Sequence, residues 1–142
     1  MPPATTHRRL VTASAVMLIL AAGCGSDSIA VPEQPAACDG PLAVTVSGGT
    51  TPTFSWSPAC GVSDLVVVKS TAAGDSLVWG ISAPEAVRFG GPITYGNPPS
   101  FVTQSPHAAP LVPNASYHVD VYMTIGLDVV RGSGRKSFSP TL

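Results

Sequence analysis

His118-x-Asp120 places an imidazole and a carboxylate two residues apart, on one face of any extended strand. Such a pair does acid–base or metal chemistry when a third group converges on it. The sequence places no third group there, so the pair is read as solvated surface. His107 lies in a Pro-rich loop, with nothing to mark it as a base. Gly132-Ser-Gly-Arg-Lys-Ser137 has the composition of a phosphate loop, but it lacks both the G-x-x-x-x-G-K spacing and a following helix whose N-terminus would hold phosphate. Arg131, Arg135 and Lys136 are expected instead to be solubilising charges that protect an edge strand. Asn114-Ala-Ser116 fits a glycosylation sequon. No nucleophile–base or carboxylate pair is visible, so no catalytic residue, metal or cofactor is assigned and a non-enzymatic role is expected.

The elements that must position any function begin with an address. From Leu10 to Ala22 every residue is apolar or small apart from Thr12 and Ser14, and Arg8 and Arg9 precede the run. A bilayer span needs about 20 residues, so this run is too short. It has the basic start, apolar middle and small-residue exit of a secretory signal. A core helix would show a polar face, and none appears. Leu20-Ala21-Ala22-Gly23-Cys24 resembles the lipobox of bacterial lipoproteins, in which a diacylglyceryl group is attached to the cysteine thiol before cleavage. The resemblance implies a signal peptide over 1–23, a lipidated N-terminal Cys24, and a membrane partner reached through acyl chains. Gly25 rather than Asp follows the cysteine, which the same resemblance reads as release from the inner membrane. The implied location is the cell envelope: outer membrane, periplasmic face or cell surface. Residues 24–37 are rich in Ser, Ala and Pro without periodicity and read as a flexible tether.

The remaining 38–142 is one domain's length. Hydrophobic residues make up 44% of the chain and charged ones 11%, so a substantial core is expected. Removing Arg8 and Arg9 leaves five basic residues against eight acidic, a balance with no footprint for nucleic acid. With Cys24 assigned to lipid, Cys38 and Cys60 remain as a pair, oxidised outside the cytoplasm.

After Cys38 the pattern has period two. Leu42–Ser47, Thr53–Ser57, Leu77–Ile81, Ser116–Ile125 and Val129–Phe138 read as strands, the last bulged by Gly132 and Gly134. Asp64–Lys69 is a β-branched run expected to be covered on both faces. Val87–Phe89 and Phe101–Thr103 are weaker strand candidates. The expected fold class is all-β, a sandwich of about seven antiparallel strands.

Leu111-Val-Pro113-Asn-Ala-Ser-Tyr117-His-Val119-Asp-Val121 resembles the approach to strand F of fibronectin type III domains, and Phe54-Ser-Trp56-Ser-Pro58 resembles their strand B. The two motifs, in the right order, lie within residues 41 to 139. The resemblance implies an immunoglobulin-like sandwich with Trp56, Leu111, Tyr117, Val119 and Val121 in the core. It also implies a Tyr117 hydroxyl bonded to backbone a few residues upstream. Cys38 before the first strand and Cys60 after the second would then share one end. Departures are Ala115, Asn114 in place of the usual glycine, and the long stretch 83–110. The sequence offers one candidate binding loop, Gly90–Ser100, with Phe89, Tyr95 and Phe101 around it. Its partner would be a protein or a polysaccharide; otherwise these rings close the end of the sandwich.

Overall fold

The computed structural model describes residues 33–126 and 129–142; the expected signal peptide, Cys24 and most of the tether lie outside them. Among the described residues the secondary structure is all β. The strands are β1 (Gly40–Pro41), β2 (Ala43–Val46), β3 (Thr53–Ser57), β4 (Asp64–Thr71), β5 (Gly74–Ser82), β6 (Ile93–Thr94), β7 (Thr103–Gln104), β8 (Tyr117–Ile125) and β9 (Val129–Phe138). They form a six-stranded sheet in the order β1-β9-β8-β4-β5-β7 and a three-stranded sheet in the order β2-β3-β6. All named pairings are antiparallel except β1 with β9.

Alternation builds the core. Leu65 and Val67 of β4, Trp79 and Ile81 of β5, and Tyr117, Val119, Val121 and Met123 of β8 are all buried. From the smaller sheet come Val44, Phe54, Trp56 and Ile93, with Leu42 and Leu111 from the connections. Burying each large apolar side chain stabilises the fold by about 1.5–3 kcal/mol. Trp56 and Phe89 meet edge to face at 6.4 Å. A larger aromatic group links Phe54 to Trp79 and Phe138, Phe138 to Tyr117, and Trp79 to Tyr95. The fully buried Trp79 thus joins Phe54 and Tyr95 in the larger group, although β3 supplied the more recognisable tryptophan motif.

Three expectations are corrected. Asp64–Lys69 is covered on one face only, for Val66 and Val68 are partly exposed. Val87–Phe89 makes a single bridge, Phe89 to Val62, because a turn closed by Val87 N–H to Pro84 O precedes it and Gly90-Gly91-Pro92 follows. The second weak candidate, Phe101–Thr103, shifts to Thr103–Gln104, because Val102 N–H is engaged in a turn with Pro99 O. Asp64–Thr71 otherwise pairs along its whole length with β5, and six of its residues pair with β8.

Cys38 and Cys60 are disulfide-bonded across a separation of 22 residues. In the chain-entropy model, closing such a loop stabilises the fold by about 3 kcal/mol. The expected tether ends sooner than Ala37. Gly61 N–H donates to Ala36 O at 2.6 Å, Cys38 N–H to Gly61 O at 2.9 Å, and Arg88 Nε to Pro35 O at 3.0 Å. The attached chain therefore begins at Pro35.

Gly132 and Gly134 lie on the inner face of β9, opposite Met123 and Val121 of β8. A Cβ at Gly132 would stand 3.0 Å from the Cys38 backbone, and one at Gly134 would collide with Leu42 O and stand 2.8 Å from a Val44 methyl. The glycines let the segment from Cys38 to Val44 lie directly on β9. The bulge expected of β9 falls at Arg131, beside Gly132: Met123 pairs with Gly132 and Thr124 with Val130, which leaves Arg131 without a partner across the ladder. Gly134→Ala should lower stability by about 1–3 kcal/mol through overpacking. Ser133→Ala, on the exposed face, should stay within about 0.5 kcal/mol in the same denaturant titration.

Tyr117 is buried, and its hydroxyl accepts a 3.0 Å hydrogen bond from Val112 N–H. Between them Asn114 takes the left-handed conformation, φ 62°, which asparagine tolerates better than most residues. Tyr117→Phe keeps the ring and strands that amide, so equilibrium unfolding should report a loss of about 1–3 kcal/mol.

Candidate functional site

The outer face of the six-stranded sheet carries the one His–Asp pair the sequence singled out, and the structure corrects its setting. His118 is 7% exposed rather than solvated. Strands β4 and β8 align Val68 with His118, which brings Ser70 near the ring: Ser70 Oγ and His118 Nδ1 are 3.1 Å apart. His118 Nε2 lies 3.6 Å from Asp120 Oδ2. On the next strand Arg135 faces Asp120 in register and holds its carboxylate with two hydrogen bonds, Nε to Oδ1 at 2.5 Å and NH2 to Oδ2 at 2.8 Å. That pairing raises the pKa of the exposed Arg135 guanidinium.

Serine, histidine and aspartate in a row are the residue types of a nucleophilic triad, but the geometry serves another purpose. A triad needs its carboxylate free to orient the imidazole. Here the carboxylate is engaged by Arg135, and 3.6 Å exceeds a hydrogen bond. Ser70 also lies on a strand, paired with Asp75 of β5, and not on a turn that would present its hydroxyl to a substrate. The row acts as a polar seam that ties β4, β8 and β9 on their outer side. Tyr122, further along β8, has its pKa raised by burial first and then by Asp64 and Asp120.

The candidate binding loop is also corrected. Phe89 and Tyr95 are buried, and only Phe101, 43% exposed, faces solvent. The loop contains β6, whose Ile93 and Thr94 pair with Phe54 and Thr53 of β3. Tyr95 packs on Trp79 at 5.1 Å, and its hydroxyl donates to Ala109 O at 2.6 Å. Apolar area drew these rings inward, and the prolines and glycines serve to fold the chain back over the core. Period-two reading missed β6 because two residues are too short to show alternation.

Two neighbouring grooves lie where the chain joins the sandwich. A groove of about 400 Å³ there is lined by Pro35, Val87, Arg88, Phe89, Pro99 and Phe101, with Glu33 and Gln34 at its side. A second groove of about 670 Å³ shares Val87 and Arg88 and runs past Ser63, Asp64, Glu85 and Thr124 to Ile125. Asp64 is held by Ser63 and Ser82 hydroxyls, each at 2.6 Å. Ala86, on the loop between the grooves, has φ 63°, an uncommon conformation for a residue with a Cβ. None of this was assigned from the sequence, because Pro35 was read as tether. Among the described residues no three His, Cys, Asp or Glu side chains converge to hold a metal ion.

The Tyr95 phenol, buried first of all by its packing, has its pKa raised from 10 to about 12. A raised folded-state pKa contributes stability that is whole below pH 10 and is lost as pH climbs toward 12. Unfolding free energy should therefore fall across that window. Tyr95→Phe should be less stable at neutral pH and should show a shallower alkaline decline in the same titration.

Comparison with protein-family models finds no match, and comparisons with curated proteins and with solved structures find none either.

Proposed function

We propose that this chain is a lipid-anchored bacterial envelope protein whose sandwich is a fibronectin type III-like module that binds or organises and does not catalyse. The observation that carries the reading is Leu20-Ala21-Ala22-Gly23-Cys24, placed after a short apolar run and a pair of arginines. A diacyl anchor holds stably where one chain is marginal, at about 0.8 kcal/mol per buried CH₂. The fibronectin-like assignment draws support from the Tyr117–Val112 hydrogen bond and from β2 and β3 pairing in one sheet while β4, β8 and β9 share the other. The non-catalytic assignment draws support from Arg135, which takes the carboxylate that a His118 base would need. A sugar-binding module stacks its ligand on a row of exposed rings; here the other aromatic side chains are buried or partly buried and Phe101 stands alone. The partner favoured on this count is a protein or the membrane itself.

Intact mass of the membrane-fraction protein should give a chain beginning at Cys24 with added acyl mass, and Cys24→Ala should leave the membrane fraction. A Cys24→Ala protein bound as firmly as wild type overturns the reading.

A further inference from the structure

We infer that the outer edge of β9 from Arg135 to Ser137 is a docking site for an extended polypeptide segment, which adds to the larger sheet and sets an acidic side chain opposite Lys136. The inference rests on the reading of the domain as a protein-binding module, and it names the surface and the partner's chemistry; the lipid anchor plays no part in it.

Hydrogen-bond direction fixes which groups are free. Ser63 N–H donates to Tyr122 O at 3.0 Å and Ser70 N–H to Ser116 O at 2.9 Å, so the even-numbered residues along β8 turn their backbone polar groups toward β4. The β9 residues opposite them, Ser133, Arg135 and Ser137, therefore turn theirs away from β8. Leu42 N–H marks the same side, donating to Ser133 O at 2.8 Å. Strand β1 reaches only as far as Ser133, and the chain then crosses to the smaller sheet, where Ala43 pairs with Ser57. Past that point, among the described residues, no strand pairs with this side of β9. Arg135 and Ser137 each leave an N–H and a C=O on an exposed stretch of strand.

Such a row of alternating donors and acceptors is matched by another extended backbone, whose groups alternate in the same way. The other margins of the two sheets offer less: β1, β6 and β7 are two residues long, and β2 carries the buried Val44. A groove of about 590 Å³ opens where β1 turns away, with Pro41, Leu42, Ser133 and Arg135 in its walls. Charge selects the occupant. Arg131 pairs with Asp39 and Arg135 with Asp120, whereas Lys136 has no ion-pair partner among the described residues. A second copy pairing antiparallel, with Arg135 opposite Ser137 on each side, would set Lys136 against Lys136. Like charges directly opposite destabilise a strand pair, and an acidic side chain at that place stabilises it. The lysine that keeps copies of this chain apart thus admits a strand of opposite charge.

The test uses the full chain in detergent micelles with fluorescein-labelled Thr-Val-Glu-Val-Thr and its Thr-Val-Lys-Val-Thr counterpart. At low salt the glutamate peptide should bind about threefold or more tightly than the lysine peptide, the difference one cross-strand charge pair supplies, and Lys136→Glu should reverse the order. Binding should slow deuterium exchange at the Arg135 and Ser137 amides and leave those of Gly134 and Lys136, which face β8, unchanged. N-methyl groups on one alternate set of the peptide's amides should abolish binding and on the other set should not, because only one side of the peptide meets β9. Equal binding of the two N-methylated peptides, equal binding of the glutamate and lysine peptides, or binding of neither overturns the docking edge. So does protection of both amides without peptide that grows with protein concentration, since a second copy would then hold the edge. Failure of the peptides together with a protein crosslinked to another face on intact cells would remove this edge and keep the binding role it rests on.

Discussion

Two backbones lie closer together in this sandwich than side chains permit, and the arrangement of both sheets follows from that approach. Over β9 the segment Cys38–Val44 runs so near that Gly132 and Gly134 have no room for a Cβ. This contact lets β1 add to the edge of β9 in parallel while β2, two residues later, joins the other sheet. Leu42 N–H donates to Ser133 O at the crossing point, so the change of sheet leaves no orphaned donor. One short segment therefore serves both layers. The Cys38–Cys60 bridge fixes its near end, and Trp56 closes over the bridge with its indole N–H donating to Cys60 O at 2.9 Å.

How much of this could be read from residue order depends on length and on partners. Long strands declared themselves. In Tyr117–Ile125 every second side chain from Tyr117 to Met123 faces one core, and the structure buries all four, Tyr117, Val119, Val121 and Met123. The disulfide was legible because, with Cys24 read as a lipid site and export expected, a single pair of cysteines is left to join. Short elements were not. Strand β6 is two residues long, and its place is decided by Phe54 and Thr53 on a strand some forty positions away. The glycines of β9 announced an irregularity but not its cause, since a close approach involves a second segment that local pattern does not name.

The candidate sites divide along the same line. His118 and Asp120 were found by spacing, yet spacing could not say that Arg135 would take the carboxylate or that Ser70 would meet the ring. Those are cross-strand neighbours, fixed by register. Phe89 and Tyr95 looked available because they sit among glycines and prolines, and the competing demand for buried aromatic area decided their fate. The grooves at the chain's entry are assembled from separate stretches, Pro35, Ser63 with Asp64, Ala83–Gly90 and Pro99 with Phe101 among them, and no local pattern names such an assembly.

The disulfide has a mechanical consequence. Tension applied through residues preceding Pro35 would first work on the hydrogen bonds from Gly61 to Ala36 and from Arg88 to Pro35. It would then reach Cys38 and cross the bridge to Cys60, passing straight into the chain that leads to β4. Strands β1, β2 and β3 lie inside the covalent loop and carry none of that load along their backbone. A pull on the N-terminal side would strip off a few residues and then stop, with the smaller sheet unpeeled and the central strands of the larger one taking the force.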